Sequence, residues 1–335
     1  MKKVLVIRFS SIGDIVLTTP VIRCIKQQVE EVELHFLTKK QFAPVLAANP
    51  YIDRLHLLGQ DLDECIGRLK AEQFDYVVDL HHNLRTLRVK RALKVKSRSF
   101  GKLNLQKWLL TAFKINLLPE KHIVDRYLEA ARDLGVVNDG GGLDYFVPAQ
   151  EQVQQSDIPA AHHLGYIALV IGAAHATKRL PLEKLKELVQ LLEHPLILIG
   201  GPEDKAVGEV LAAGDPVKIY NACGKFSLNE SADLVRQAKL VISHDTGFMH
   251  IAAAFRRPVI SIWGNTVPAF GMYPYYGKRR YNQVQPFEIV EVKGLRCRPC
   301  SKIGYDACPK KHFKCMRDIS LPQVRTLVQQ WLRTS

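Results

Sequence analysis

The sequence lacks any apolar run that approaches the roughly 20 residues needed to span a bilayer. Its opening, MKKVLVIRFS, also lacks the charged, apolar and small-residue regions of a secretory signal and reads instead as a strand. These two absences predict a soluble cytoplasmic protein. The 335 residues, of which 47% are hydrophobic and 24% charged, are typical of about two globular domains.

Acidic residues are absent between Asp79 and Glu120, a segment that we call the basic tract, although ten lysines and arginines lie there. The tract supplies most of a net charge of +14, from 47 basic against 33 acidic residues. A solvated helix face would explain it, but a tract without interspersed acid favours an anionic partner: nucleic acid, a lipid surface or a phosphorylated glycan. Aromatic residues are absent from 80–99, which argues against base stacking by a nucleic-acid-binding protein.

Cysteine is scarce except near the C-terminus. Three of the seven cysteines are isolated among apolar neighbours and are expected to be inert core residues: Cys24, Cys65 and Cys223. The other four, with His312 nearby, form a C-x2-C-x7-C-x6-C cluster: Cys297, Cys300, Cys308 and Cys315. In a cytosolic chain such a cluster favours metal over disulfide, so structural Zn²⁺ and packed reduced thiols both stay open, with a redox disulfide less favoured.

Apolar runs alternate with amphipathic stretches in both halves of the chain, and a segment rich in glycine, proline and polar residues, 138–163, separates the halves. The runs predict strands at 4–9, 32–38, 54–58, 74–80, 166–172, 195–201, 218–224, 239–245 and 258–264. Helices are predicted at 20–29, 62–72, 125–135, 181–193, 227–238, 248–255 and 321–332. This alternation predicts two doubly wound, Rossmann-like α/β domains, 1–155 and 156–318, with ligands bound in the cleft between them.

The stretch SHDTGFMHIAAAF, residues 243–255, carries the most specific signal for chemistry. A strand runs into the tight turn Asp245-Thr246-Gly247, and a helix follows with Thr246 as its candidate cap. Gly247 lets the backbone approach a ligand, the first helical amides present about half a positive charge, and His250 lies one turn in. We predict a diphosphate site here; the alternative is a capped helix with a satisfied histidine.

Two further strand ends in the second half suit a nucleotide diphosphate. Lys178 and Arg179 follow the first strand of that half and place two cations where a diphosphate leaving group would depart. After the next strand, Gly200 and Gly201 permit close backbone contact, and Glu203 can accept hydrogen bonds from ribose hydroxyls. Together with the turn after 239–245, these residues predict a donor pocket in the second domain.

The first strand runs into RFSSIGDIVLTTP, where a nucleotide-binding fold usually carries a glycine-rich phosphate loop. This stretch has one glycine, Gly13, and places the carboxylate of Asp14 at the mouth of the following helix, where it would repel phosphate. Opposite a nucleotide-diphosphate donor, the group needed is a base that takes the proton of an attacking hydroxyl. We therefore predict Asp14 as the general base; the alternative is a helix N-cap.

These stretches resemble the bacterial ADP-heptose:lipopolysaccharide heptosyltransferases of glycosyltransferase family nine. The resemblance covers almost the whole chain and rests on RFSSIGDIVLTTPVIRCIK, DLHHNLRT, TKRLP, IGGPED and above all SHDTGFMHIAAAFRRPVISIWGNTVP. It implies a GT-B fold, transfer of heptose from ADP-L-glycero-D-manno-heptose to the lipopolysaccharide inner core, and inversion at the anomeric carbon. It also implies that the final helix, within 319–335, packs back on the first domain.

The predicted site residues combine this resemblance with the chemistry of the strand ends. The general base and the diphosphate clamp are Asp14 and Lys178. The donor-binding set is Arg179, Gly200, Gly201, Glu203, Asp245, Thr246, Gly247 and His250. The acceptor-binding set is Ser11, Gly13, His81, Asn83, Arg85 and Arg88. The chain departs from the family pattern at three places: His82 replaces a glycine, Leu180 replaces a tryptophan, and 264–268 reads GNTVP instead of GPTDP, which bears on sugar identity.

The resemblance also gives the basic tract a partner. Inner-core acceptors carry Kdo carboxylates and phosphates on lipid A, so Kdo-lipid A and the anionic inner-membrane surface are the expected partners, and nucleic acid is not. The protein is then expected to be cytoplasmic and peripherally associated with the inner membrane. No cofactor is expected for catalysis, because Lys178, the helix dipole and His250 supply positive charge for the departing ADP.

Two other functions fit parts of the sequence. A nucleotide-sugar epimerase or hydrolase of the same architecture would use the donor pocket but would leave the basic tract unexplained. A zinc-stabilised nucleic-acid-binding protein would use the charge and the cysteines but would leave the turn at 245–247 without a purpose.

Overall fold

The N-terminal apolar runs form a parallel sheet. The computed structural model describes residues 1–278 and 286–334. The strands of the first sheet are β1 Lys2–Ile7, β2 Val32–Lys39, β3 Arg54–Leu58, β4 Tyr76–Asp79 and β5 Lys96–Ser99. Their order is β3-β2-β1-β4-β5, and every pair is parallel. The polar edge strand β5, sequence KSRS, lies in the basic tract and was not predicted, because it has no apolar run.

The second sheet repeats the arrangement with six strands. They are β6 Ile167–Val170, β7 Leu196–Ile199, β8 Ile219–Asn221, β9 Leu240–His244, β10 Val259–Trp263 and β11 Phe287–Glu291. Their order is β11-β10-β9-β6-β7-β8, again parallel in every pair. The chain passes between the sheets through residues 136–166; the predicted domain limits at 155 and 156 stay predictions.

Helices cover both sheets. In the first half they are α1 Ile12–Val16, α2 Thr19–Gln28, α3 Leu62–Ala71, α4 Leu84–Leu93, α5 Asn104–Phe113 and α6 Ile123–Leu128. In the second half they are α7 Leu182–Leu191, α8 Lys205–Ala212, α9 Leu228–Gln237, α10 Gly247–Ala254, α11 Lys314–Arg317 and α12 Leu321–Thr334. The predicted helix at 125–135 is α6 followed by a 3₁₀ turn, Glu129–Leu134. Within the described ranges, no helix has the length and apolar character needed to cross a membrane.

Strand β1 shows why its sequence reads as a continuous apolar run. Val4 and Val6 pack into one layer of the core, and Leu5 and Ile7 pack into the layer on the opposite face of the sheet. A parallel strand covered on both faces has no polar side, so alternation is lost. The layer that holds Val4 continues into the second half of the chain, where it includes Ala168 of β6, so the two sheets share one core.

The final helix packs on the second sheet. Its residues Leu321, Val324 and Val328 are buried in the core cluster that also holds Ile242 and Ile260 of β9 and β10. The helix contacts α7, β9, β10 and β11. The expectation that it packs back on the first domain is therefore wrong for this structure, because its apolar face completes the cover of the second sheet.

Candidate active site

Each sheet reverses its strand order once, and the loops at the two reversals carry predicted site residues. In the first sheet, β1 and β4 lie side by side, and the loops after them hold Asp14 and His81. In the second sheet the reversal lies between β6 and β9, whose following loops hold Lys178 and Asp245. Open α/β sheets bind ligands at such switch points. The packing of α1 against α10 brings the two crevices together.

Asp14 is a firmly held carboxylate in the first turn of α1. Its Oδ1 lies 2.7 Å from Nη2 of Arg8, and its Oδ2 accepts hydrogen bonds from the Ser11 hydroxyl at 2.8 Å and the Ser11 N–H at 3.3 Å. Burial acts to raise the pKa of Asp14, but Arg8 and then Ser11 hold it below its ordinary value. The carboxylate thus supports the helix entrance from the third helical position, whereas the N-cap is Ser11, so the N-cap alternative for Asp14 is wrong. The lowered pKa keeps Asp14 ionised at neutral pH.

Arg8 is a site residue that the sequence analysis missed. Its side chain is buried, and it donates from Nε to the Ser10 carbonyl at 2.7 Å and from Nη1 to the Leu80 carbonyl at 2.6 Å. These bonds join the loops after β1 and β4 and direct the remaining nitrogen to Asp14. The bond to Leu80 spans 72 residues of chain, so no local pattern could have revealed it.

The turn that holds Asp14 touches the mouth of α10 through two glycines. A Cβ atom on Gly13 would lie 2.8 Å from His250 Cδ2 and 3.2 Å from Gly247 Cα. A Cβ atom on Gly247 would lie 2.9 Å from Ile12 Cγ2. We call the turn that holds Asp14 and the mouth of α10 the two walls of the cleft. Larger residues at either position would therefore separate the two walls. The predicted base and the predicted diphosphate turn are neighbours across this contact.

His250 is buried beside this contact, and its ring is neutral at pH 7. Burial lowers its pKa to about 4, although Asp245 and Asp14 act in the opposite direction. Its Nδ1 has no hydrogen-bond partner among the described residues. Without a bound ligand the ring can therefore offer a hydrogen bond but carries no charge, and the expectation that His250 supplies positive charge to departing ADP stays a prediction.

Lys178 lies at the entrance to α10. Its Nζ is 2.6 Å from Asp245 Oδ2 and donates to the Asp245 carbonyl at 3.3 Å. The hydroxyl of Thr266 donates to the same carboxylate oxygen at 2.8 Å. Thr246 occupies the N-cap position of α10, but its side chain makes no capping hydrogen bond. The first amides of α10 are therefore left for a ligand, with one lysine beside them.

Arg179 and the loop after β7 form a structural link. Arg179 Nη1 lies 2.8 Å from Asp204 Oδ1, and its Nε donates to the Ala173 carbonyl at 2.6 Å. Asp204 Oδ2 in turn accepts from the Gly201 N–H at 3.0 Å. A Cβ atom on Gly200 would lie 2.8 Å from Asp204, so this glycine is needed for packing. The diphosphate contact of Arg179 stays a prediction, because its guanidinium already holds these loops together.

Glu203 follows the same loop and is exposed ahead of α8, and the ribose contact expected of it stays a prediction.

The predicted acceptor residues differ in the contacts that they make within the chain. Asn83 caps α4, since its Oδ1 accepts from the Thr86 N–H at 3.0 Å. Arg88 pairs with Asp63 at 2.7 Å on the surface, and Arg85 is exposed. The ring of His81 packs 5.0 Å from that of Phe9, and burial followed by Arg8 lowers its pKa to about 4. Their contact with an acceptor stays a prediction.

His82, which replaces the glycine of the family pattern, has a φ of 52°, the left-handed region that favours glycine. Its N–H donates to Asp79 Oδ1 at 2.7 Å, which holds the strained turn after β4. The family's glycine thus has a backbone reason here.

Two further cations, Arg126 and Lys107, were not predicted as site residues, and Lys107 lies within the electrostatic reach of Asp14. Arg126 is buried; its Nη2 donates to the Phe270 carbonyl at 3.1 Å, while its Nε and Nη1 have no partner among the described residues. Burial and then Arg126 lower the pKa of Lys107 to about 8. Lys302 acts on Lys107 in the same direction, and Asp14 acts against it. Unpaired buried donors of this kind suit an anionic ligand.

The four clustered cysteines lie in one segment, 297–315, which is a loop that runs into α11 and which we call the cysteine loop. All seven cysteines of the chain are free thiols. Cys297 Sγ lies 3.7 Å from His312 Nε2, and burial followed by the neighbouring thiols raises the pKa of Cys315 to about 12. The loop supports the site, because Tyr305 N–H donates at 2.8 Å to the hydroxyl of Thr177, the residue before Lys178.

Another group of metal-ligand atoms lies away from this site. The ligand atoms of His35, His56 and Glu72 fall within 4.8 Å of one another in the part of the chain described. Glu72, however, already pairs with Arg54 at 2.6 Å and with Lys3 at 3.7 Å. His35 Nδ1 and His56 Nε2 are hydrogen-bonded at 2.8 Å. These partners satisfy the group without a metal ion.

Comparisons with known proteins identify the family of this chain. The model of glycosyltransferase family 9 (heptosyltransferase) matches residues 64–288, more than half of the chain. The chain is similar to lipooligosaccharide heptosyltransferase 2 of Haemophilus influenzae, with 26% identity over 292 residues that cover 80% of this chain and 84% of the relative.

Two solved structures share the fold over nearly their whole length. The family 9 glycosyltransferase of Veillonella parvula has a TM-score of 0.77 and 22% identity, covering 100% of this chain and 98% of its own. The E. coli heptosyltransferase WaaC with ADP has a TM-score of 0.70 and 21% identity, covering 98% and 99%. The expected GT-B fold is confirmed. With the family model matched over 64–288, the chain is a glycosyltransferase that belongs to glycosyltransferase family 9 (heptosyltransferase).

Proposed function

We propose that the protein transfers heptose from ADP-L-glycero-D-manno-heptose to the lipopolysaccharide inner core with inversion, using Asp14 as the base. The observation that carries this proposal is the contact between the two walls. The ionised carboxylate of Asp14 lies on the turn that touches Gly247 and His250 at the mouth of α10. A proton acceptor and an anion site are thereby neighbours. Asp14 precedes the range matched by the family model, so its role rests on this geometry.

The reaction divides between the two walls. Asp14 takes the proton of an acceptor hydroxyl, and the oxygen attacks the anomeric carbon from the face opposite the diphosphate. The new C–O bond forms as the bond to the diphosphate oxygen breaks, which inverts the configuration. Negative charge then develops on the departing ADP, where Lys178 and the first amides of α10 stabilise it.

The donor pocket has support from a structural relative. The E. coli heptosyltransferase WaaC, which shares this fold, has been solved with ADP. In this chain, the loops after β6, β7 and β9 would bind the corresponding diphosphate and ribose through Lys178, Glu203 and the turn at 245–247. The identity of the sugar rests on the resemblance of the donor stretches.

Two cations support the binding of an anionic acceptor. Arg126 has two buried unpaired nitrogens, and Lys107 lies within its electrostatic reach. Asp14 in turn acts on the pKa of Lys107. Carboxylates and phosphates of a Kdo-lipid A acceptor would satisfy these donors. A hydrolase would need no such group, so these cations favour transfer.

The function is tested with a panel of ADP- and UDP-sugars incubated with heptose-free Kdo-lipid A. We expect ADP release and a product heavier by one heptose only when ADP-heptose and acceptor are both present. Release of ADP at the same rate without acceptor would indicate the hydrolase. A product from a different sugar nucleotide would contradict the donor assignment.

We also propose that the cysteine loop holds a structural Zn²⁺. Four thiols and His312 lie within residues 297–315, a donor set that suits zinc, although no three of these ligand atoms in the described chain lie within 4.8 Å of one another. The loop would draw in around the ion and stiffen the support of Thr177. Elemental analysis should find one zinc per chain, and chelation should lower the Tm. Metal-free protein with an unchanged Tm would indicate packed thiols instead.

A further inference from the structure

The proposed transfer reaction leaves one feature of the basic tract unused, an apolar surface on α5 and the residues after it. Five large apolar side chains there are at least half exposed: Leu105 at 65%, Trp108 at 53%, Phe113 at 58%, Ile115 at 50% and Leu117 at 60%. Elsewhere in the described chain such side chains are exposed singly or in pairs. A cluster of this size on a surface indicates an interaction site. We call residues 105–117 the docking surface.

Helix α5 buries Leu110 but also exposes large apolar side chains and partly buries a lysine. Leu105 and Trp108, three residues apart, face outward, while Lys107 is partly buried. Burial and then Arg126 lower the pKa of Lys107 to about 8, and Asp14 acts on the same group in the opposite direction. An ordinary surface helix buries its apolar stripe. Helix α5 therefore carries Lys107, which interacts with Arg126, and also an exposed apolar face. We expect a binding partner to cover that face.

The positive charge around the docking surface indicates an anionic partner. No acidic residue lies between Asp79 and Glu120, and Arg85 and Arg91 are exposed on α4. Lys114, at the end of α5, donates to the Pro299 carbonyl at 2.8 Å, which brings the cysteine loop alongside. A second copy of the chain would bring the same positive charge against this face. Exposed aromatic and aliphatic side chains among cations are instead typical of contact with an anionic bilayer.

We propose that the docking surface binds an anionic lipid bilayer, with Trp108 and Phe113 inserted at the headgroup level. The two rings already pack against each other, with centroids 5.1 Å apart at 80°. Cations of the basic tract contact the lipid phosphates around them. This inference deepens the proposed function, because it brings the acceptor side of the cleft to the membrane that would hold a lipid-linked substrate.

The test measures binding of the full-length protein to sedimented vesicles of phosphatidylglycerol and phosphatidylethanolamine, with phosphatidylcholine vesicles for comparison. We expect binding to the anionic vesicles that weakens with salt. We expect Trp108→Ser/Phe113→Ser to lower the partition coefficient by about tenfold or more, because two inserted rings are lost. Trp108 fluorescence should shift to the blue on binding.

The matched control is Leu164→Ser/Val217→Ser, two exposed apolar residues outside the docking surface, at 92% and 71%. It should bind vesicles like the wild type. Equal binding by Trp108→Ser/Phe113→Ser, or no vesicle binding by the wild type, would overturn the proposal, as would a dimer that this double variant dissociates. Transfer to a delipidated, soluble acceptor should be unchanged in the double variant. Vesicle binding without any transfer would refute the proposed function and leave this inference standing.

Discussion

Asp14→Asn is expected to lower the rate of heptosyl transfer by about 10²–10⁴-fold while ADP binds with nearly unchanged affinity. Asparagine can still accept a hydrogen bond from Ser11, but it cannot take a proton from the acceptor. The donor contacts, by contrast, lie on the other wall, around Lys178 and α10. The measurements are steady-state transfer at saturating donor and calorimetric titration with ADP.

Two controls separate catalysis from folding in this experiment. The Tm of Asp14→Asn reports the lost ion pair with Arg8, which lies 2.7 Å away. Asp306→Asn changes a fully exposed carboxylate and should keep the wild-type rate. Turnover near the wild-type value in a folded Asp14→Asn protein would exclude Asp14 as the base. A parallel loss of ADP affinity would mean that the two walls are not independent.

The fold was largely predictable because its strands are buried on both faces. Runs such as VLVI in β1 and LVI in β9 are apolar without interruption, and the connecting helices carry regular periodicity. The edge strands β5 and β11 were missed, because an edge needs little apolar sequence and β5 reads KSRS. The position of α12 was also wrong, since an apolar stripe shows that a helix packs but not on which sheet.

The positions of the candidate site residues were predictable where those residues lie in turns that follow strands. Asp14, Lys178 and the turn at 245–247 each follow a strand, so the topology brings them to the switch point of their sheet, and the packing of α1 against α10 makes the two crevices neighbours. The residues that tune them were not. Arg8, which pairs with Asp14, is anchored on the Leu80 carbonyl, and Arg126 is anchored on the Phe270 carbonyl, 144 residues away in sequence. Such contacts exist only after the chain has folded.

The contact between the two walls restricts which residues can stand at two positions of the sequence. Gly13 and Gly247 each leave no room for a Cβ atom, and both lie where α1 meets α10. The carboxylate of Asp14 and the first amides of α10 can approach closely only if the residues at these two positions have no side chain. The single glycine of the first loop thus serves the approach of the two domains rather than the binding of phosphate.

Lys178→Ala is expected to lower kcat by about 10²–10³-fold and to weaken ADP binding, because this lysine is the cation at the mouth of α10. Removal of Lys178 has a second effect on ADP binding. Lys178 Nζ lies 2.6 Å from Asp245 Oδ2, so its removal leaves that carboxylate uncompensated beside the diphosphate site. Adding Asp245→Asn to Lys178→Ala should therefore recover part of the ADP affinity but not the rate.

The matched control for this pair of variants is Lys184→Ala. Its side chain is 16% exposed, against 17% for Lys178, and it pairs with Glu187 on α7 instead of facing the site. It should keep both the rate and the ADP affinity of the wild type. An unchanged ADP dissociation constant in Lys178→Ala would remove the lysine from the donor site. An affinity that Asp245→Asn does not improve would show that repulsion by this carboxylate contributes nothing, and that the lysine acts on the diphosphate alone.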